Sequence, residues 1–168
     1  LLRYLAKEHE LAIKEFREVG RLTDPRKPQF NDPYLREMAI LTLARIYYEH
    51  KNFGVSTRYY DLVNRNSEKW LISLFESSWA YFQRGDYEKA LGNLLTLHSP
   101  FFQNEYFPES QILRAVIYFE NCRYPETREI TTSFIKRLKP VLTYVETLAK
   151  SDESPDKIYE KIAGKFEG

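Results

Sequence analysis

Trp79-Ala80-Tyr81-Phe82-Gln83-Arg84-Gly85-Asp86-Tyr87-Glu88-Lys89-Ala90-Leu91 is the stretch on which the fold turns. An aromatic run meets Gly85-Asp86, and a second run with a small residue follows. Gly accepts the left-handed conformation that ends a helix, so this pair marks a turn between two helices. The same pattern stands one copy earlier. Residues 37–70 lie over 71–104 without a gap: Ile40 falls on Leu74, Leu43 on Ser77, Ala44 on Ser78 and Tyr47 on Tyr81. Phe53 then falls on Tyr87, Ser56 on Ala90, Tyr60 on Leu94 and Val63 on Leu97. A period of 34 residues reads as a stacked helix–turn–helix array. Asn52 serves in the earlier copy the turn that Gly85-Asp86 makes in the later one.

A third copy carries Ala115, Tyr118, Tyr124, Thr127 and Phe134 at the small, aromatic, aromatic, small and large slots. Its Tyr118 follows Tyr81 by 37 residues, so three residues are inserted between repeats. Gln111 and Arg114 take slots that are normally apolar. The slots have physical reasons. Small residues at Ala44, Ser78 and Ala115, and at Ser56, Ala90 and Thr127, let paired helices approach closely. Tyr47, Tyr81 and Tyr118 fill the space between neighbouring pairs, where burial of each is worth about 2–3 kcal/mol.

On these residues the chain resembles the tetratricopeptide repeat (TPR) family. The amino-terminal helix, with Ala12, Phe16 and Val19, resembles the second helix of a truncated repeat. The resemblance implies an all-α fold, a right-handed superhelix of antiparallel helix pairs (an α-solenoid). It divides one domain, 1–168, into a partial repeat at 1–32, repeats at 37–70, 71–104 and 108–140, and C-terminal capping helices at 141–168. It also implies a concave groove lined by first helices. The inward positions fall on Met38, Leu41, Arg45, Tyr48 and Glu49; on Ile72, Phe75, Trp79, Phe82 and Gln83; and on Glu109, Ile112, Val116, Phe119 and Glu120. Arg45, Tyr48, Phe75, Trp79, Phe82, Gln83, Ile112, Val116 and Phe119 are therefore the expected partner-binding residues. Only Arg45 among these slots is basic, so the family's clamp for acidic peptide tails is not expected. A wall this apolar suits an amphipathic helix or an extended aromatic peptide. A helix at 140–150, with Val141, Leu142, Val145 and Leu148, is the competing occupant, folding back into the groove.

Composition narrows the classes. The chain of 168 residues is 43% hydrophobic and 29% charged, ordinary for one globular domain. Aromatics reach 15%; repeat packing consumes them, or some line a binding surface. Net charge is +1, from 25 basic and 24 acidic residues interleaved, which speaks against a nucleic-acid partner. Lys136, Arg137 and Lys139 sit near a helix end, where cations complement the dipole. Cys122 is the only cysteine, so no internal disulfide forms. That suits the cytoplasm and a bacterial periplasm or cell envelope alike. No apolar run is long enough to span a membrane. The chain opens on Leu1 within a helical pattern, which reads as a fragment of a longer protein.

Local signals predict helices over 1–22, 33–50, 54–65, 67–84, 86–97, 108–121 and 125–138, then another opened by Pro140 to about Lys150 and a last one over 155–166. Asp32-Pro33 and Pro125-Glu126 are the clearest starts. The connection from Ser99 to Pro108 holds Phe101, Phe102, Tyr106 and Phe107. Its phenylalanines either tuck under the helices or form an exposed patch.

No catalytic pattern is visible. His9, His50 and His98 are scattered, with no His-Glu-x-x-His pair, no glycine-rich phosphate loop and no Gly-x-Ser-x-Gly. The expectation is a protein-interaction module, not an enzyme, with no metal and no cofactor. Its partner would be a protein or peptide. The alternatives are a scaffold assembling with itself through its end repeats, or an accessory domain of a larger protein.

Overall fold

Asp32 opens the first long helix as its sequence promises: its carboxylate accepts the Leu35 amide at 3.0 Å, and Pro33 sits in the first turn. The computed structural model describes residues 5, 8–26, 30, 32–102, 105, 107–151 and 153–164. The helix expected over 1–22 is described from His9, and the last helix as far as Ala163. Gln103, Asn104 and Tyr106 of the aromatic connection lie outside the described residues.

Among those residues the chain is all-α, without a strand. The helices are α1 (His9–Leu22), α2 (Pro33–Glu49), α3 (Phe53–Tyr60), α4 (Trp70–Gln83), α5 (Tyr87–Leu97), α6 (Pro108–Glu120), α7 (Tyr124–Ala149) and α8 (Pro155–Ala163). A single 3-10 turn, Pro100–Phe102, lies between α5 and α6. From α1 to α7 each helix packs on the next, and α4 also touches α6.

The turns from α2 to α3, α4 to α5 and α6 to α7 share one geometry. Lys51, Gly85 and Cys122 have φ of 58°, 76° and 58°. The next residue's amide reaches back to a tyrosine carbonyl: Asn52 to Tyr47 at 2.8 Å, Asp86 to Tyr81 at 2.9 Å and Arg123 to Tyr118 at 2.8 Å. This is the Schellman arrangement, which satisfies the last carbonyls of a helix. The repeated tyrosines therefore supply backbone as well as side chain at the same point of each pair.

Small residues meet between the helices of a pair. Ala44, Ser78, Ser56 and Ala90 are wholly buried, and Ala115 is buried too. Ser56 donates its hydroxyl to the Ala44 carbonyl at 2.8 Å, which satisfies a polar group inside the contact. Three apolar clusters join consecutive helices. One joins Ala12 and Ile13 of α1 to Leu43 and Ile46 of α2. The next joins Ile40, Leu41 and Ala44 of α2, Tyr60 of α3, Val63 of the connection that follows it, and Ala80 of α4. The third joins Tyr81 of α4, Ala90 and Leu94 of α5, and Leu113 and Ile117 of α6.

Three boundaries differ from the sequence expectation. α3 stops at Tyr60, not near 65, because Asn64 and Ser67 bond locally: the Asn66 amide reaches the Asn64 side chain and the Lys69 amide the Ser67 hydroxyl, both at 2.9 Å. Such side chains offer the backbone an alternative to the helix ladder. α4 accordingly begins at Trp70 instead of 67. The largest difference is α7. Residues 140–150 are no separate helix; α7 runs unbroken for 26 residues through Pro140. Proline forgoes one ladder bond there. Lys136 and Pro140 are both exposed, so the carbonyl left without its amide partner stays open to water.

The aromatic connection divides. Phe102 lies edge-on to Trp70 at 5.9 Å, and Phe107 leans on Phe75 at 5.5 Å. Phe101 does not tuck in; it is 91% exposed. The polar slots of the third repeat make local contacts, although Arg114 Nε is buried without a hydrogen-bond partner. Gln111 and Ser110 flank the His98 ring at 3.1 and 3.0 Å, and the Arg114 guanidinium lies over Tyr118 at 5.9 Å.

Candidate functional site

Arg45 and Tyr48 stand one turn apart near the C-terminal end of α2, and Trp79 near that of α4. Packing of α2, α3 and α4 brings these three together. With Glu49, Tyr60 and Glu76 they line a depression of about 420 Å³. Arg45 donates to both carboxylate oxygens of Glu76, Nε at 2.9 Å and Nη2 at 2.6 Å. Burial, with Glu76 beside it, pushes the Tyr60 phenol far above its usual range, and burial also raises Tyr48. Both phenols are thus neutral hydrogen-bonding groups at any physiological pH. Tyr48 is braced edge-on by Phe53 at 5.2 Å, and Trp79 by Phe82 at 6.3 Å. An ion pair and three aromatic side chains thus line the depression together.

The other expected wall residues do not join this depression. Phe75 and Phe82 are half-buried and pack on the α4–α6 cluster, Phe82 also against Tyr87 at 5.8 Å. Gln83 is exposed at the end of α4. Leu41, expected to face inward, is buried in the α2–α4 cluster. Ile112, Val116 and Phe119 line a different depression of about 340 Å³, with Thr127, Ile130, Phe134 and Ile135 of α7. The single wall expected from the sequence is therefore two surfaces.

Residues 140–150 fill neither. Val141, Leu142 and Val145 are exposed on the outer half of α7. Sequence reasoning passed over Tyr60 and Glu76, which belong to the first depression. The signal for Glu76 was Arg45 itself: a lone cation among apolar slots needs a carboxylate nearby. Ile130, Phe134 and Ile135 were legible as an apolar stripe on α7.

The histidines serve packing. His9 and His50 meet edge-on at 4.8 Å, and His98 lies between Ser110 and Gln111. Burial lowers the His98 pKa, and the Arg114 and Arg137 charges lower it further. Among the described residues no group of His, Cys, Asp and Glu is placed to hold a metal ion. Among them, too, no helix is long and apolar enough to cross a membrane.

The fold and this surface define an all-α protein of consecutively packed helices with aromatic depressions. No family model, curated protein or solved structure matches the chain.

Proposed function

We propose that this chain is a protein-interaction module without catalytic activity, its helix pairs stacked as a TPR-like right-handed superhelix. A peptide or helix of a partner protein docks on its inner face at Arg45, Tyr48 and Trp79. The observation that carries this reading is the depression those three residues share with Tyr60 and Glu76. Aromatic walls bury an apolar side chain, and rigid aromatic and arginine anchors supply most of the energy at interfaces. The Arg45–Glu76 pair adds to the lining hydrogen-bonding groups that fix the orientation of a bound backbone.

The test is peptide selection. A random peptide library is enriched on the purified chain, and the selected peptides are titrated against Tyr48→Ala and Trp79→Ala. Circular dichroism checks that each variant keeps its helices. Each substitution weakens binding about tenfold or more. Selected peptides that bind both folded variants at full affinity overturn the reading.

A further inference from the structure

We propose that the cleft among the end of α5, the start of α6 and the middle of α7 binds a small phosphate monoester, its head held by Arg114 and Arg137 and its apolar body by the cleft wall. The site is separate from the surface at Arg45, Tyr48 and Trp79 and does not depend on a partner docking there. The cleft measures about 600 Å³. That is the size of a small-molecule site, in which mostly apolar walls carry a few convergent polar groups. Leu97, Phe102, Phe107, Leu138 and Val141 supply apolar wall, and His98, Glu105, Gln111, Arg114 and Arg137 supply the polar groups.

Two guanidinium groups in this cleft lack the partners such groups ordinarily have. Arg114 Nε is buried and makes no hydrogen bond, while the guanidinium carbon lies over the Tyr118 ring at 5.9 Å. Among the described residues neither Arg114 nor Arg137 is in an ion pair. A helix dipole does not account for Arg137 either. α7 runs on to Ala149, so Arg137 stands mid-helix and not at the C-terminal end, where a cation is favoured. A buried donor left without an acceptor is costly, and a ligand that brings the acceptor removes the cost.

The neighbouring groups do not bring it. Ser110 donates its hydroxyl to the Phe107 carbonyl, so the His98 ring donates from Nε2 to Ser110 Oγ at 3.0 Å. His98 Nδ1 then accepts from Gln111 Nε2 at 3.1 Å. The ring is fully bonded and neutral, and burial together with the two arginine charges keeps it so. Glu105 stands on the lining, and Glu126 and Glu129 border an adjoining depression that the two arginines share. Glu126 is held by Arg123, and neither of the other two carboxylates pairs with Arg114 or Arg137. Two cations against one carboxylate leave the cleft lining positive. A phosphate head suits this set better than a carboxylate. Arginines on two different helices each offer a fork of donors, and three peripheral oxygens serve both, whereas a carboxylate has two.

The test is calorimetric titration of the whole chain with phenyl phosphate at about 0.15 M salt, where distant surface charges are screened. Saturable one-to-one binding is expected. It is about tenfold tighter than that of inorganic phosphate, which lacks the apolar body, or of benzoate, which lacks the third oxygen. Arg137→Gln and Arg114→Lys each weaken it about tenfold or more. The second keeps the charge and removes the buried donor, so its loss reads geometry and not charge. Glu105→Gln tightens binding by removing a like charge. Lys136→Gln makes the same change of net charge as Arg137→Gln at the neighbouring position and leaves affinity within about twofold. Circular dichroism checks that each variant keeps its helices; if Arg114→Lys does not, the contrast between Arg137→Gln and Lys136→Gln decides. Absence of saturable binding overturns the proposal. So does binding that Arg137→Gln leaves unchanged, or that Lys136→Gln weakens equally, because the attraction is then diffuse charge. Benzoate or inorganic phosphate binding as tightly as phenyl phosphate overturns the assigned ligand.

Discussion

Arg45 of α2 and Glu76 of α4 form a two-pronged ion pair between helices that are not neighbours in the chain. The pair is only partly desolvated: the side chains are 44% and 22% exposed. Its geometry is the favourable bidentate kind, but solvent screens the charges. Arg45→Ala is expected to cost about 1 kcal/mol in urea unfolding. The cost shrinks in 1 M salt, where screening acts over about 3 Å. A loss that stays constant with salt would show that Arg45 contributes through packing of its stem instead.

The three equivalent turns differ in one respect that stability can read. Gly85 occupies the left-handed conformation freely, whereas Lys51 and Cys122 hold it with a side chain. The left-handed region costs a non-glycine residue about 1–2 kcal/mol. Cys122→Gly should therefore stabilise the fold by up to about 1 kcal/mol, the gain being reduced by the freer unfolded chain. Gly85→Ala should destabilise it by about 1 kcal/mol. No atom lies within 4 Å of the added methyl, so the effect is conformational and not a clash. Thermal unfolding of the two variants should move the midpoint in opposite directions.

The closeness of paired helices makes a third prediction. Ala44 is wholly buried, and its carbonyl accepts the Ser56 hydroxyl from across the contact. Ala44→Leu forces the helices apart and should cost about 1–3 kcal/mol. Phe101→Ser, on the exposed 3-10 turn, should fall within about 0.5 kcal/mol of the parent. Chemical denaturation distinguishes the two, and equal effects would mean that the α2–α3 contact is looser than described.

His98 gives the fold a pH dependence. Burial favours its neutral form, and Arg114 and Arg137 add to this, so its folded pKa lies below the usual 6.5. In the unfolded chain the ring takes up a proton at the ordinary value. The unfolded state thus binds more protons as pH falls, and stability falls with it. The contribution is whole above about pH 6.5 and is lost as pH drops through the folded value. His98→Gln should flatten the difference in urea midpoint between pH 7.5 and pH 5.5. An unchanged pH profile in this variant would assign the dependence to the carboxylates.

Much of the local architecture was legible because it depends on short-range chemistry. Asp32-Pro33 starts a helix through its own side chain and ring. Gly85-Asp86 turns the chain because glycine tolerates positive φ. The spacing of Ala44, Ser78 and Ala115 anticipated residues that are buried against a paired helix. The expected binding residues were less legible. Arg45, Tyr48 and Trp79 line one depression, while Leu41, Phe75 and Phe82 are drawn into packing, and Ile112, Val116 and Phe119 face another depression. One helix face serves a core and a surface at once, and a slot number does not say which.

Sequence alone determined that the chain is helical, where most helices begin, and that its turns recur, since periodicity, caps and glycine act within a few residues. Tertiary structure decided what α7 does. Pro140 reads as a break, yet an exposed helix can forgo one hydrogen bond to water and continue. That continuation leaves Ile112, Phe119 and Ile135 uncovered. Which apolar side chains end up bare depends on which helix lies over them, and that is settled by contacts between residues far apart in the chain.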